Sequence, residues 1–406
     1  MKLTVHAGTG INEPGIVYCN DHCQPDFGDI RFTTANGTEL DYWMEENLSS
    51  NISNNDVYGD FQRYNGNPLD LPQYGASGTV HPDTIYFPEG KDGYKYWMVY
   101  TPYPPETLEN MCIVRSNDGV NWTDTGISNP VISMGPDGDW DERHLADPDM
   151  IYVSDFDMWF MVWCGTNYSS SNRVGFAYSS DGKTWTEYDG IAVNGNMNPV
   201  LLAGHDAGGQ SWEQSGSISN IGPSSLLYEN GIFYIYYVRD APNNGGPIGL
   251  ASFEWDNISN DIINFSRYSS NPIIDLPDDS EFQSGSGHVD VSHYNGMYYM
   301  YTVRNADSGG SELVCLNSTD KINWTYRGKV IGKGASGTWD SNVIYRTNPV
   351  TDATGNIILF GDYTRLYYSA SGSTPFRIGF GDIELNFWEE PSSDAVSYTH
   401  LTLPTN

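Results

Sequence analysis

Side chains that can transfer protons recur at a fixed spacing along this 406-residue chain. His or Asp stands two positions before a second Asp in three segments, and two related segments carry Ser or Asp at a similar place. Imidazoles and carboxylates in such positions can act as general acids and bases. The segments are His81-Pro-Asp-Thr-Ile-Tyr86, Asp147-Pro-Asp-Met-Ile-Tyr152, Gly222-Pro-Ser-Ser-Leu-Leu227, His288-Val-Asp-Val-Ser292 and Trp339-Asp-Ser-Asn-Val-Ile344.

An aromatic run follows each segment, which predicts one β-hairpin per repeat. Turns of the form Ser-x-Asp-Gly-x-x-Trp also recur, in part degenerate, and the predicted role of their Asp is to close the turn. A single four-stranded sheet cannot bury both of its faces, so five such units predict an all-β, five-bladed β-propeller. A β-sandwich is the structural alternative, but it gives no reason for the repeats. The turns are Ser116 to Trp122, Ser179 to Trp185 and Ser318 to Trp324.

The propeller predicts where a site would lie. The innermost strands of all blades begin at one end of the axis, here called the mouth, and the antiparallel second strands end beside them. Carboxylates, imidazoles, guanidinium groups and aromatic faces around a concave mouth suit a sugar. The strand starts contribute His81, Asp83, Asp147, Asp149, Ser224, His288, Asp290 and Asp340, and the second strands contribute Tyr103, Trp163, Arg239 and Arg304.

Composition narrows the class of partner. The chain has 52 Asp and Glu against 19 Lys and Arg, a formal charge of −33. Such a charge repels nucleic acid and polyanions, and no run approaches the roughly 20 apolar residues that cross a bilayer. We therefore expect a monomer with an acidic, solvated surface that binds a poly- or oligosaccharide outside the cell or on a cell or virion surface.

The cysteines do not predict a metal centre. The segment Cys19 to Cys23 contains two thiols and His22, which are too few ligands for a zinc site. A loop or a local disulfide is therefore expected there. The remaining cysteines lie in strand-like runs and are expected to be small core residues. They are Cys112, Cys164 and Cys315.

Three regions are predicted along the chain. Residues 1–53 carry Gly15 to Cys23, Asp26 to Phe32 and Glu39 to Glu45, and resemble the C-terminal part of a β-rich domain of unknown function in secreted archaeal and bacterial surface proteins, ending in an Asn- and Ser-rich linker. Residues 54–390 form the predicted propeller. Residues 391–406 form a tail whose end, from Val396, resembles a translated sequencing adapter and is set aside.

Residues 74–385 resemble the clan of arabinanases, xylosidases, levansucrases and invertases, and His81 to Tyr86 with Gly93 to Pro104 also resemble uncharacterised phage and prophage proteins. The clan resemblance implies a base or nucleophile Asp in blade one, an orienting Asp in blade two and an acid Glu in blade three. Asp147 matches the orienting Asp. In blade one, His81 stands at the position of the base or nucleophile Asp, so Asp83 is the nearest carboxylate. In blade three, Ile221 and Gly222 stand where the acid Glu should precede Pro223. Glu213 is then the predicted acid.

Alternatives remain open at this stage. Asp83, Asp149 and Asp290 can instead cap strand amides or share an axial calcium or sodium ion, and no cofactor is required. The predicted function is that of a glycoside hydrolase, and the alternatives are a non-catalytic carbohydrate-binding or adhesion module and a polysaccharide lyase. The lyase would neutralise a uronate and remove its α-proton with Arg239, Arg304, His288 and Tyr103.

Overall fold

A computed structural model describes residues 4–6, 16–18, 61–168, 172–190, 199–201, 209–215, 218–219, 221–239, 246–275, 287–305, 311–372 and 375–384. The chain forms two compact units, Met1–Asp56 with Asn386–Asn406, and Val57–Leu385. In the first unit, β1 (Thr4–His6) pairs in parallel with β2 (Ile16–Tyr18). The predicted boundary at residue 53, the segment from Cys19 to Cys23, the linker and the adapter-like tail lie outside the described residues.

The second unit opens with β3 (Gln62–Arg63) and then forms blades of antiparallel strands in chain order, the fourth and fifth of which are joined by one parallel pair, Ser311 with Val343. Blade one is β4 (Thr79–Lys91), β5 (Tyr94–Pro102) and β6 (Cys112–Ser116), with the 3₁₀ helix η1 (Glu106–Leu108) before β6. Blade two is β7 (His144–Val153), β8 (Met158–Thr166), β9 (Asn172–Ser179) and β10 (Thr186–Glu187).

The later blades repeat this order. The 3₁₀ helix η2 (Ser211–Glu213) and the short pair β11 (Gln214–Ser215) and β12 (Ile218–Ser219) precede blade three. Blade three is β13 (Ile221–Glu229), β14 (Ile232–Arg239), β15 (Ile248–Asp256) and β16 (Asp261–Arg267). Blade four is β17 (Gly287–Tyr294), β18 (Met297–Asn305), β19 (Ser311–Ser318) and β20 (Thr325–Ile331). Blade five is β21 (Val343–Pro349), β22 (Leu359–Phe360), β23 (Tyr363–Ser371) and β24 (Arg377–Glu384).

The blades close into a ring. The inner strands contact one another in the cyclic order β4, β7, β13, β17, β21 and back to β4. The first strand of the second unit completes blade five, because β3 pairs antiparallel with β24 as its outermost strand. The predicted five-bladed propeller is therefore confirmed.

Strand alternation explains why neighbouring blades adhere. On β5, Trp97 and Val99 enter an apolar cluster with Leu145 and Met150 of blade two. Tyr96, Met98 and Tyr100 of the same strand point the other way, into a cluster with blade five. Period-two patterning with large apolar side chains on both faces thus lets each sheet bury both faces between its neighbours.

The repeated turns have the predicted role. The carboxylate of Asp118 accepts hydrogen bonds from the backbone N–H groups of Val120 and Asn121, both at 2.8 Å. Asp181 and Asp320 make the equivalent pairs of bonds. These aspartates close outer turns and are not site residues. Within the described residues, no helix is long and apolar enough to span a membrane.

Candidate active site

The inner strands of blades one, two and four each begin with a β-bulge. The residues that the bulges leave unpaired include His81, Asp147 and His288. Their φ angles of 56°, 53° and 53° lie in the left-handed region, which residues other than glycine seldom occupy. Backbone strain of this kind is concentrated at functional sites. We call these three residues the mouth cluster.

The mouth cluster brings side chains from three blades into contact. One ligand atom of each residue lies within 4.8 Å of the others, and together they could hold a metal ion. Asp147 Oδ1 lies 2.6 Å from His288 Nδ1 and 3.4 Å from His81 Nε2. His81 and Asp147 are buried, whereas His288 is half-buried.

Burial and charge set the protonation of this cluster. Burial lowers the pKa of His81 to about 3, against the opposing effect of Asp147. Burial alone would raise the pKa of Asp147, but the charges of His288, His81 and Arg346 and a hydrogen bond from His288 hold it well below its usual value. At neutral pH the cluster therefore offers a neutral His81 imidazole and an ionised carboxylate, as a bound cation requires.

The far side of the His81 ring faces blade one. His81 Nδ1 lies 2.9 Å from Thr101 Oγ1 and 3.5 Å from Glu109 Oε1. Glu109 is buried directly after η1, and burial, followed by the charges of Asp147 and Glu106, raises its pKa well above the usual value. The site thus contains a second acid that the repeats did not indicate.

Three half-buried aromatic rings extend from the cluster. The Tyr345 ring centroid lies 4.2 Å from that of His288 and 5.2 Å from that of His81. Phe376 lies 4.9 Å from Tyr345, and Tyr103 lies 5.7 Å from Phe376. This aromatic wall of Tyr103, Tyr345 and Phe376 offers apolar faces of the kind on which sugar rings stack.

A second layer lies beneath the mouth. Asp83, Asp149 and Asp290 are the first paired residues after the bulges, and Arg346 holds the same position in blade five. Arg346 is 0% exposed, and its Nη1 and Nη2 lie 3.4 Å from Asp147 Oδ1 and 3.8 Å from Asp149 Oδ2. We call these four residues the axial ring. A guanidinium therefore lies among the acids for which a shared calcium or sodium ion was one alternative.

The axial acids also cap strand amides, which was the other alternative for them. Asp83 Oδ2 accepts the Met150 N–H at 2.5 Å, and Asp149 accepts hydrogen bonds from Ser225 and from the Leu226 backbone. Each bond joins one blade to the next.

The pKa values of all three axial acids are raised. Burial, and then the charge of Asp149, raises the pKa of Asp83 and of Asp290 well above the usual value. Burial raises the pKa of Asp149 to about 6. The rise is limited because the charge of Arg346 and the hydrogen bonds that Asp149 accepts from Ser225 and Leu226 lower the pKa.

Glu213, the predicted acid, lies in a different environment. Its side chain is 0% exposed. Oε1 accepts hydrogen bonds from the Tyr237 hydroxyl at 2.8 Å and Arg267 Nε at 3.0 Å, and Oε2 accepts the Gln210 N–H at 2.8 Å. These partners belong to blade three and the segment before it, whereas Asp83 faces the inner strands of blades two and four. The acid role of Glu213 stays a prediction that this environment does not favour.

Asp340 was expected at the mouth as the fifth strand head, and the structure corrects that alignment. β21 begins after it, at Val343, and the bulge of blade five falls at Tyr345. Asp340 instead accepts hydrogen bonds from Arg63 Nε at 2.6 Å and the Tyr368 hydroxyl at 2.9 Å. It therefore holds the closing strand β3 against blade five.

Three further residues of the predicted rim have other partners. Trp163 is 1% exposed and lies in the core, 6.4 Å from Trp140 between ring centroids. Arg239 Nη1 donates to the Trp212 carbonyl at 3.0 Å. Arg304 forms an ion pair with Glu312 at 2.8 Å. Tyr103 is the one residue of the predicted second-strand set that joins the mouth, through the aromatic wall.

Sequence reasoning missed Glu109, Tyr345, Arg346 and Phe376. Tyr345 and Arg346 follow the segment chosen as the fifth head, and the run Val343 to Pro349 carried the available signal. Glu109 and Phe376 lie outside every repeat, so the pattern could not single them out.

Comparisons with known proteins agree with this fold. The family model of the glycosyl hydrolases family 32 N-terminal domain matches residues 67–204. The chain is 26% identical over 315 residues, 72% of its length, to an A type blood N-acetyl-alpha-D-galactosamine deacetylase of Flavonifractor plautii. It spans only 40% of that relative.

Solved structures show the same architecture. An N-acetylgalactosamine deacetylase from F. plautii, in complex with blood group B trisaccharide, superposes with a TM-score of 0.54 at 20% identity, covering 82% of this chain and 97% of that one. The catalytic domain of a family 62 α-L-arabinofuranosidase from Coprinopsis cinerea gives a TM-score of 0.54 at 13% identity, covering 81% and 98%. The chain is a five-bladed β-propeller with the fold of carbohydrate-active hydrolases.

Proposed function

We propose that the protein is a carbohydrate-active hydrolase that removes an acyl group, such as an N-acetyl group, from a sugar with the help of a divalent metal ion held by the mouth cluster. The observation that carries the proposal is the convergence of His81, Asp147 and His288 from three blades, with ligand atoms within 4.8 Å. Hydrolysis of an amide or ester at this site would leave the glycosidic bond intact.

The residues fit such an ion. Two imidazoles and one carboxylate are a donor set for Zn²⁺, Mn²⁺ or Fe²⁺. His81 Nε2 is buried without a hydrogen-bond partner and points toward the ionised Asp147, an arrangement that a cation between them would satisfy. When bound, the ion would polarise the acyl oxygen and make water a stronger nucleophile.

The surrounding residues would prepare the site for this chemistry. Arg346 lies behind Asp147 and favours its ionised form, so the carboxylate stays available as an anionic ligand. Tyr345 packs against both histidines and limits their rotation. The aromatic wall would bind one face of the sugar ring and place its substituent at the cluster.

The proposed substrate is a neutral oligo- or polysaccharide that carries acyl groups. Support comes from the acidic residues around the mouth and the formal charge of −33, which disfavour uronates and other polyanions. The printed activity of the Flavonifractor plautii relative, a deacetylase of an acetamido sugar, agrees with it. A location outside the cell remains part of the proposal and is supported by the solvated acidic composition.

Glycoside hydrolysis is the second candidate function. One observation favours it: Asp147 and Glu109, two buried carboxyl groups, lie on opposite sides of the His81 ring, at Nε2 and Nδ1. That reaction needs one ionised and one protonated carboxyl group, and the pKa of Asp147 is lowered whereas that of Glu109 is raised. The match to the family 32 model includes both residues.

One assay separates these functions. Protein treated with a chelator, and then with Zn²⁺ or Mn²⁺ restored, is incubated with N-acetylated and O-acetylated oligosaccharides. Acyl hydrolysis predicts release of acetate, loss of release with the chelator, and a product lighter by one acetyl group. Cleaved sugars without dependence on metal would favour glycoside hydrolysis. Unsaturated ends absorbing in the ultraviolet would indicate a lyase, and saturable binding without any product would indicate a binding module.

A further inference from the structure

We propose that a cavity at the end of the propeller opposite the mouth is a second, non-catalytic site that binds one unit of a neutral polysaccharide. The cavity has a volume of about 200 Å³. This is below the roughly 300–1,000 Å³ of pockets that enclose drug-sized ligands, so it suits a single sugar unit. Only the class of ligand is taken from the proposed function, because no residue of the mouth cluster or the aromatic wall lines the cavity.

Topology places the cavity at that end of the axis. Because the inner strands begin at the mouth, the turns that follow them lie at the opposite end, where loops from several blades meet. The lining residues come from four blades: Asp155 follows β7, Asn230 follows β13, His293 is the last residue but one of β17, and Thr354 follows β21. Side chains of blades two to five therefore surround one space.

The segment after β21 forms a wall of the cavity that is tied to two other blades. The Thr351 carbonyl accepts the N–H of Tyr86, in blade one, at 2.7 Å. The His293 carbonyl, in blade four, accepts the Ile357 N–H at 2.8 Å. The His293 ring also bonds this segment, with Nε2 at 3.0 Å from the Thr354 carbonyl oxygen. The wall is therefore fixed at both ends and in its middle.

Two carboxylates of the cavity are oriented by partners. The Tyr228 hydroxyl donates to Asp155 Oδ2 at 2.8 Å, and the Tyr298 hydroxyl donates to Glu229 Oε1 at 2.6 Å. Lys321 forms an ion pair with the other oxygen of Glu229. An ionised carboxylate has about four acceptor sites, so both acids can accept further hydrogen bonds from a ligand. Asp155 is exposed and Glu229 is half-buried, which leaves them accessible from solvent.

These groups suit a ligand with many hydroxyl groups rather than an ion. The carboxylates repel anions. Within the part of the chain that the structure describes, Asp155, Glu229 and His293 do not form a group whose ligand atoms are close enough to hold a metal. The exposed Asn230 amide can donate and accept, and the Tyr228 ring supplies apolar surface. Acceptors, donors and an aromatic ring around a small space are the features that bind a neutral sugar.

The test is electrophoresis of metal-free native protein through gels that contain acetylated xylan, glycol chitin or galactomannan. At least one of these neutral polysaccharides should retard the wild type, and Asp155→Ala should raise the Kd for it about ten-fold. Asn230→Gly should act in the same direction, because glycine keeps the turn, where φ is 53°, but lacks the amide. Glu89→Ala is the matched control, since this exposed carboxylate ends blade one at the same end of the propeller without lining the cavity. No retardation in any gel, or wild-type retardation of both cavity variants, would overturn the proposal.

Hydrogen exchange of the wild type locates the bound sugar without any variant. Fragments of the retarding polysaccharide, added to metal-free protein, should slow amide exchange in the turns at residues 154–157 and 230–231. Slower exchange confined to the mouth would overturn the proposal. If the wild type releases no acetate from any acetylated oligosaccharide while these two turns are protected, the proposed hydrolysis fails and the second sugar site stands.

Discussion

Arg346 Nη1 lies 3.4 Å from Asp147 Oδ1, although the two residues belong to blades five and two. The guanidinium also reaches Asp149 with its other terminal nitrogen, at 3.8 Å. One fully buried side chain thus joins the mouth cluster to the axial ring. This contact links the stability of the propeller to the charge of its candidate metal ligand.

Replacement of Arg346 by Met should destabilise the fold. The change keeps much of the apolar bulk but removes the cation that faces Asp147 and Asp149. Removing one partner of a buried ion pair costs about 3–5 kcal/mol. The free energy of unfolding in urea should therefore fall by about that amount. Arg143→Met is the control, because its ion pair with Glu106 is partly exposed and contributes less than about 1 kcal/mol. Equal effects of the two variants would contradict the role given to Arg346.

Asp141 should make stability depend on pH. Burial, and then the charge of Glu187, raises the pKa of its carboxyl to about 7. The unfolded chain, with a pKa near 4, loses this proton first as pH rises, so the folded state becomes less stable between about pH 4 and pH 7. Asp141→Asn removes this effect. The free energy of unfolding of Asp141→Asn should exceed that of the wild type by close to zero at pH 3 and by about 1 kcal/mol at pH 4.5. The difference should reach a plateau of a few kcal/mol above pH 7, at about 1.4 kcal/mol per pKa unit.

Denaturant unfolding at several pH values checks this prediction. Asp137→Asn changes an exposed carboxylate in the same loop and serves as the control. A constant difference between Asp141→Asn and the wild type across the range would show that the Asp141 carboxyl does not titrate with a raised pKa.

Glu213→Gln should affect stability more than catalysis. The carboxylate accepts from Arg267 and Tyr237 in a fully buried setting, so its neutralisation leaves the Arg267 charge without its partner. We expect a loss of about 3 kcal/mol in the free energy of unfolding and a kcat per folded molecule within about two-fold of the wild type. A folded variant with kcat reduced a hundred-fold or more would instead support the catalytic acid predicted from the sequence.

Much of the fold could be predicted because local patterns repeat. Each repeated strand start, followed by an aromatic second strand, indicates one blade. On β5, large apolar side chains alternate between the two faces of the strand, which requires both faces to be buried. The start of the fifth inner strand was predicted too early because Trp339-Asp340 resembles the repeated segment. The inner strand observed in blade five is β21, which has a one-residue bulge at Tyr345. A bulge of a different length breaks the spacing on which the alignment depends.

The site was only partly predictable for a related reason. His81, Asp147 and His288 lie at equivalent strand positions, so topology alone brings them together. Glu109 follows a short 3₁₀ helix, and its approach to His81 depends on the path of a loop that no periodicity records. Glu213 is the opposite case. It lies near the expected place in the sequence, but its carboxylate forms an ion pair with Arg267 of blade three.

Metal binding by the mouth cluster tests the central claim most directly. Isothermal titration of metal-free protein with Zn²⁺ and Mn²⁺, supported by elemental analysis of the purified protein, should show one ion per chain. Asp147→Asn and His288→Ala should each weaken that binding at least a hundred-fold while the fold is retained. Wild-type protein that binds neither ion, or variants that bind as tightly as the wild type, would contradict the assignment of His81, Asp147 and His288 as a metal-dependent hydrolytic centre.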